Sequence, residues 1–128
     1  AAFFAGVRGA RSRAADDAAI LAWSADHGIS FEVSPSSNVL TGAAPSLREH
    51  PLHAFLAAGC AVALGDDDPV TTGRTLADEE RMLVAEGGLS AEDLRSIQRH
   101  ATSVVFANEA MRATLLARIA TEDEPTER

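Results

Sequence analysis

The chain has 128 residues, 46% of them apolar, which suits one packed domain or less. Its 11 basic and 19 acidic side chains leave a net charge of −8, which repels a phosphate backbone, so no nucleic-acid partner is expected. No stretch approaches the roughly 18 to 20 consecutive apolar residues of a membrane span, and Arg8, Arg11 and Arg13 interrupt the apolar start, so no membrane partner is expected either.

The first residues, Ala1-Ala-Phe-Phe, carry no initiator Met and read as part of something longer. Ala14 to His27 predicts a helix, with Ile20, Leu21 and Trp23 apolar, Asp16 and Asp17 near its start and Gly28 after its end. Ile29-Ser-Phe-Glu-Val33 alternates as a strand does and runs into Ser34-Pro-Ser-Ser-Asn38, a dense cluster of turn residues. Pro51 opens a second helix with Leu52, Phe55 and Leu56, closed by Gly59.

Cys60-Ala-Val-Ala-Leu64 is a short continuous apolar run, the signature of a parallel strand covered by helices. Cys60 is the lone cysteine, so no intrachain disulfide forms; it fits a reducing cytoplasm and reads as a small buried hydrophobe. Gly65-Asp66-Asp67-Asp68-Pro69 follows directly. Three helices are predicted next, capped by Thr75 with Asp78, by Ser90 with Asp93, and by Asn108. The acidic stretch Thr121–Arg128 has no apolar residue and is expected to be a solvated, disordered tail.

Two strands about 30 residues apart with a helix between them follow βαβ logic. Both polar clusters then fall at the C-terminal ends of strands, the side on which parallel α/β folds carry their ligand groups. Consecutive aspartates at the end of a buried strand repel one another unless a cation or hydrogen-bond donors compensate. On spacing alone the run fits a turn or a helix N-terminus at least as well as a cation site. The histidines give no further metal cluster: His27 ends a helix, His50 and His53 flank a helix start, and His100 lies on an amphipathic helix.

The segment Phe31-Glu32-Val-Ser34-Pro35-Ser-Ser37-Asn38-Val-Leu-Thr41-Gly42 resembles the adenosine deaminase family, in which a barrel strand reads Glu-x-Cys-Pro-x-Ser-Asn and continues towards Thr-Gly. Glu49-His50-Pro51 is similar to the family's turn into the next helix, and Val62-Ala-Leu-Gly65-Asp66-Asp67-Asp68-Pro69 resembles its Ser-Leu-Asn-Thr-Asp-Asp-Pro. The resemblance spans residues 3 to 120 and implies the C-terminal portion of a TIM-type (β/α)8 barrel of the metal-dependent hydrolase superfamily, with one zinc ion at the mouth of the strands. It implies Asp67 as zinc ligand and catalytic residue, Asp68 as the hydrogen-bonding contact to the purine, and Asp66 as support behind them. The activity implied is hydrolysis of adenosine, or a related 6-aminopurine nucleoside, to the 6-oxo product and ammonia, with zinc lowering the pKa of a bound water to about 7.

The resemblance places the three histidine ligands and the proton-donating Glu outside this stretch, which by itself is therefore expected to be inactive. Two positions depart from the pattern: Ser34 stands where the family has Cys, and the family's Gly-His-Gly aligns with Phe4-Ala5-Gly6-Val7-Arg8, putting Ala5 in place of the His that stabilises the attacking hydroxide. Two alternatives stay open, an aminodeoxyfutalosine or adenine deaminase of the same superfamily, and a non-catalytic remnant or interaction module. Thr41-Gly42-Ala43 leans towards adenosine. Because two strands cannot close a barrel, self-association through unsatisfied edges is also expected.

Overall fold

Two short strands, β1 (Ser30–Val33) and β2 (Ala61–Leu64), lie side by side in parallel, with Ser30 opposite Ala61 and Val33 opposite Leu64. The computed structural model describes residues 11–122. Helix α1 (Arg11–Asp26) precedes β1, and α2 (Pro35–Leu40) and α3 (Leu52–Ala57) form the crossover to β2. After β2 come α4 (Pro69–Thr72), α5 (Leu76–Met82) continuing into a π-helical turn over Leu83–Gly87, α6 (Ala91–Val104) and α7 (Glu109–Glu122).

Strand side chains alternate between faces, so the register puts Phe31, Val33, Val62 and Leu64 on one side of the sheet. That side carries the core: Val33 and Val62 are buried with Leu47, Leu52, Phe55, Cys60, Leu83, Leu89 and Ile97, and Phe31 stacks on Phe55 with ring centroids 4.6 Å apart. Leu52 and Leu83 are wholly buried, each stabilising the fold by about 1.5–3 kcal/mol. The opposite side holds Ser30 and Glu32, both exposed, and the half-buried Ala61 and Ala63. The helices thus cover one face, and the small and polar face is the less covered one among the described residues, met at Ser30 by His100 of α6.

The expected helix, strand, helix, strand order is present, and both expected capping boxes form. Thr75 accepts the Asp78 N–H while the Asp78 carboxylate accepts the Thr75 N–H, and Ser90 and Asp93 repeat the pattern at the head of α6. Asn108 accepts the Met111 N–H at 2.9 Å at the start of α7. Cys60 is buried, as its apolar run implies.

One expectation is corrected. Ser34 to Asn38 is not a turn: Pro35 occupies the first helical position of α2, where a missing N–H costs nothing, and a helix runs from it to Leu40. The serines there do not compete locally for the backbone, as turn serines do, because their hydroxyls are engaged by distant residues. Ala5 and its neighbours lie outside the described residues, as does the acidic stretch from residue 123 onward; Thr121 and Glu122 belong to α7. Among the described residues no helix is long and apolar enough to cross a membrane.

Candidate functional site at the strand ends

The ladder extends one bond beyond β2, with the Gly65 N–H donating to the Val33 carbonyl at 2.9 Å. This brings the end of β2 against the side chains leaving β1. A Cβ on Gly65 would come within 3.1 Å of Glu32 Oε1 and 3.2 Å of Ser34 Oγ, so a residue without a side chain suits this close approach.

Two residues on, Asp67 has a φ of 56°, the only non-glycine described with a left-handed backbone. Aspartate tolerates that conformation better than most residues, yet it carries a cost that local sequence does not explain. Its exposed side chain is held across the strand ends: the Ser37 hydroxyl donates to Asp67 Oδ2 at 2.7 Å over a separation of 30 residues.

Asp68 behaves differently. It is the N-cap of α4, and its carboxylate accepts from the Val70 N–H at 3.1 Å, the Thr71 N–H at 3.3 Å and the Thr71 hydroxyl at 2.5 Å. The Thr71 hydroxyl first, then the Thr71 N–H, hold its carboxyl below the usual carboxylate range. Asp66 is half-buried beside them. Spacing therefore left two roles open for the aspartate run, and the geometry divides them: Asp68 makes the helix N-terminus, while Asp67 is turned towards the neighbouring strand's helix.

Helix α2 is held by groups that sequence reasoning did not single out. The buried Glu79 carboxylate accepts the Ser36 N–H at 3.0 Å and, through its other oxygen, the Ser36 hydroxyl. Glu79 lies three residues after Leu76 and four before Leu83, which places a carboxylate on the apolar stripe of its helix. That misplaced charge is the sequence signal that could have found it.

On the other side of Ser37, His50 Nε2 contacts Asn38 Oδ1 at 2.9 Å, and the Leu52 N–H donates to His50 Nδ1 at 3.0 Å. With Nδ1 accepting, the proton sits on Nε2 and donates to Asn38. Burial, then the charge of nearby His53, lower the His50 pKa to about 4, so the ring is neutral at physiological pH.

The other histidines lie elsewhere. His53 Nε2 meets the Leu47 carbonyl at 3.3 Å, His27 stacks on Trp23, and His100 contacts Ser30 Oγ at 3.1 Å. No group of three or more His, Cys, Asp or Glu side chains able to hold a metal gathers among the described residues. A carboxylate such as Asp67 has the right donor chemistry for zinc, so these residues fit part of a ligand set and not a whole one.

Solved structures share this fold. An adenine deaminase from Arthrobacter aurescens matches with a TM-score of 0.79 and 27% identity, over 86% of this chain and 34% of that one. A Burkholderia ambifaria amidohydrolase with bound Zn matches in fold with a TM-score of 0.74 at 21% identity, over 86% of this chain and 31% of that one. The fold is thus a portion of a TIM-type barrel of the amidohydrolase and deaminase kind.

The family model for adenosine deaminase matches residues 9–122, and the chain belongs to that family. It is 34% identical over 108 residues to an adenosine deaminase of Klebsiella pneumoniae, covering 84% of this chain and 32% of the relative. To an adenine deaminase of Chelativorans sp. it is 38% identical over 95 residues, covering 74% of this chain and 29% of the relative. The chain spans about a third of the length of the curated relatives it matches.

Proposed function

We propose that these residues form part of a zinc-dependent deaminase that hydrolyses adenosine, or a related 6-aminopurine nucleoside, to the 6-oxo product and ammonia. The observation that carries this reading is the Asp67 carboxylate. It stands at the C-terminal end of β2 in a left-handed conformation and is oriented by Ser37 from α2, the helix that follows β1. A strained aspartate held by a bond spanning 30 residues suits a metal ligand better than a turn residue.

In this reading Asp67 is the zinc ligand, with Ser37 fixing one of its oxygens, and Asp68 meets the purine. Asp68 stays ionised, since the same hydrogen bonds that cap α4 favour its charged form. It can therefore accept a hydrogen bond from a substrate N–H. Zinc, when bound, would lower the pKa of a bound water so that, once it has lost its proton, hydroxide is available to add to the purine carbon bearing the amine. The remaining ligands come from elsewhere in the enzyme, a cytoplasmic protein with no nucleic-acid or membrane partner. The 128 residues alone would be inactive and would self-associate through the less covered sheet face and exposed apolar side chains such as Trp23, Leu40 and Phe106.

Adenine itself is the second substrate reading, favoured by the adenine deaminases among the relatives. Steady-state kinetics of the whole protein with adenosine against adenine separates the two. A higher kcat/KM for adenosine is expected; a preference for the free base refutes the nucleoside assignment, and turnover of neither refutes the deaminase reading.

A further inference from the structure

Helix α2 has six residues, too few to hold a fixed direction by its own hydrogen bonds. Its position is set by what grips it. Ser36, Ser37 and Asn38 are consecutive, and each side chain is committed to a different part of the chain: Ser36 to Glu79 of α5, Ser37 to Asp67 after β2, and Asn38 to His50 before α3. The outer two grips enclose the middle one. An apolar side chain would fill the buried Glu79 position at lower cost than a carboxylate, and the carboxylate is accounted for by the N–H and hydroxyl it holds.

We infer that Glu79 is a positioning residue for the metal site: by clamping Ser36 it fixes the direction from which Ser37 meets Asp67. This rests on the reading of Asp67 as zinc ligand. Glu79 touches neither Asp67 nor substrate. Its effect travels through the one peptide unit that joins Ser36 to Ser37, and His50 holds α2 from the following residue, Asn38.

The test is zinc affinity of the whole protein, measured by competition with a chelator using zinc ion alone. Supporting groups behind a metal ligand typically change affinity by about 10- to 100-fold, and Glu79 acts through one further residue, so Glu79→Leu is expected to weaken zinc binding about tenfold. Ser36→Ala, which keeps the backbone bond, is expected to weaken it about threefold. Glu79→Gln should stay within about twofold of the wild type, because its carbonyl can accept the Ser36 N–H while its amide donates to the hydroxyl. As a control, Ile97→Val trims the core against β2 and should lower Tm without moving zinc affinity.

If Glu79→Leu does not fold, Ser36→Ala against Glu79→Gln carries the comparison. Unchanged zinc affinity in the folded Glu79→Leu or Ser36→Ala protein overturns the inference, and so does a Glu79→Gln defect as large as that of Ser36→Ala or Glu79→Leu. A wild-type protein that takes up no zinc overturns the metal reading itself, a result distinct from wild-type uptake with indifferent variants.

Discussion

The polar contacts at the strand ends and the cap and ion pairs on the exposed side of α6 use the same residue types and differ in reach. On α6, Asp93 and Ser90 cap each other across three residues, and Glu92 meets Arg95 and Arg99 on one exposed helical surface. At the strand ends, Ser37 meets Asp67 across 30 residues, Ser36 meets Glu79 across 43 and His50 meets Asn38 across 12. Contacts of the first kind form within a single helix and are screened by water. Those of the second kind exist only once the fold has formed, and they are the ones that can hold a functional group in place.

The largest effect that would sharpen this contrast is a pH dependence. His50 has its pKa lowered from 6.5 to about 4 in the folded state, so below 6.5 the unfolded chain binds a proton that the folded one refuses. The neutral ring's contribution is intact above pH 6.5 and is lost as the pH falls towards 4, a loss on the order of 3 kcal/mol. Urea unfolding at pH 7.5, 5.5 and 4.5 reads it, and His50→Gln should remove most of the slope in that window. The carboxylates with lowered pKa, among them Asp78, Glu92 and Asp93, act in a lower window, since their stabilisation is present above the ordinary carboxylate range and is lost beneath it.

A smaller effect belongs to the caps. Ser90→Ala and Thr75→Ala each remove one half of a capping box and should each cost about 1 kcal/mol in urea unfolding at neutral pH, with no change in zinc affinity. The smallest belongs to the α6 surface: Arg99→Ala should shift stability by less than about 0.5 kcal/mol, and less still in high salt. An Arg99→Ala cost equal to that of protonating His50 would break the distinction between the two regions.

The same division of reach decides what could be read from the sequence. Thr75 with Asp78, Ser90 with Asp93 and Asn108 with Met111 are three-residue rules, visible without a fold, and all three form. The buried run after Cys60 and the alternation from Ile29 to Val33 located both strands to within a residue. Ser34 to Asn38 misled because short polar side chains beside a proline serve turns and helix starts alike, and here their hydroxyl partners lie far away in sequence. Asp67 was singled out by its resemblance to a family motif, whereas its left-handed backbone and its bond to Ser37 have no local sequence signature. Glu79 left a trace, a carboxylate on an apolar stripe, although nothing in the sequence says that Ser36 is its partner.

The most direct test of the account is zinc binding and adenosine turnover by the whole protein with Asp67→Asn set beside Asp68→Asn. The account predicts that Asp67→Asn lowers zinc affinity by more than about a hundredfold and turnover with it, while Asp68→Asn keeps its zinc and loses kcat/KM. Full zinc occupancy and undiminished turnover in Asp67→Asn would contradict it.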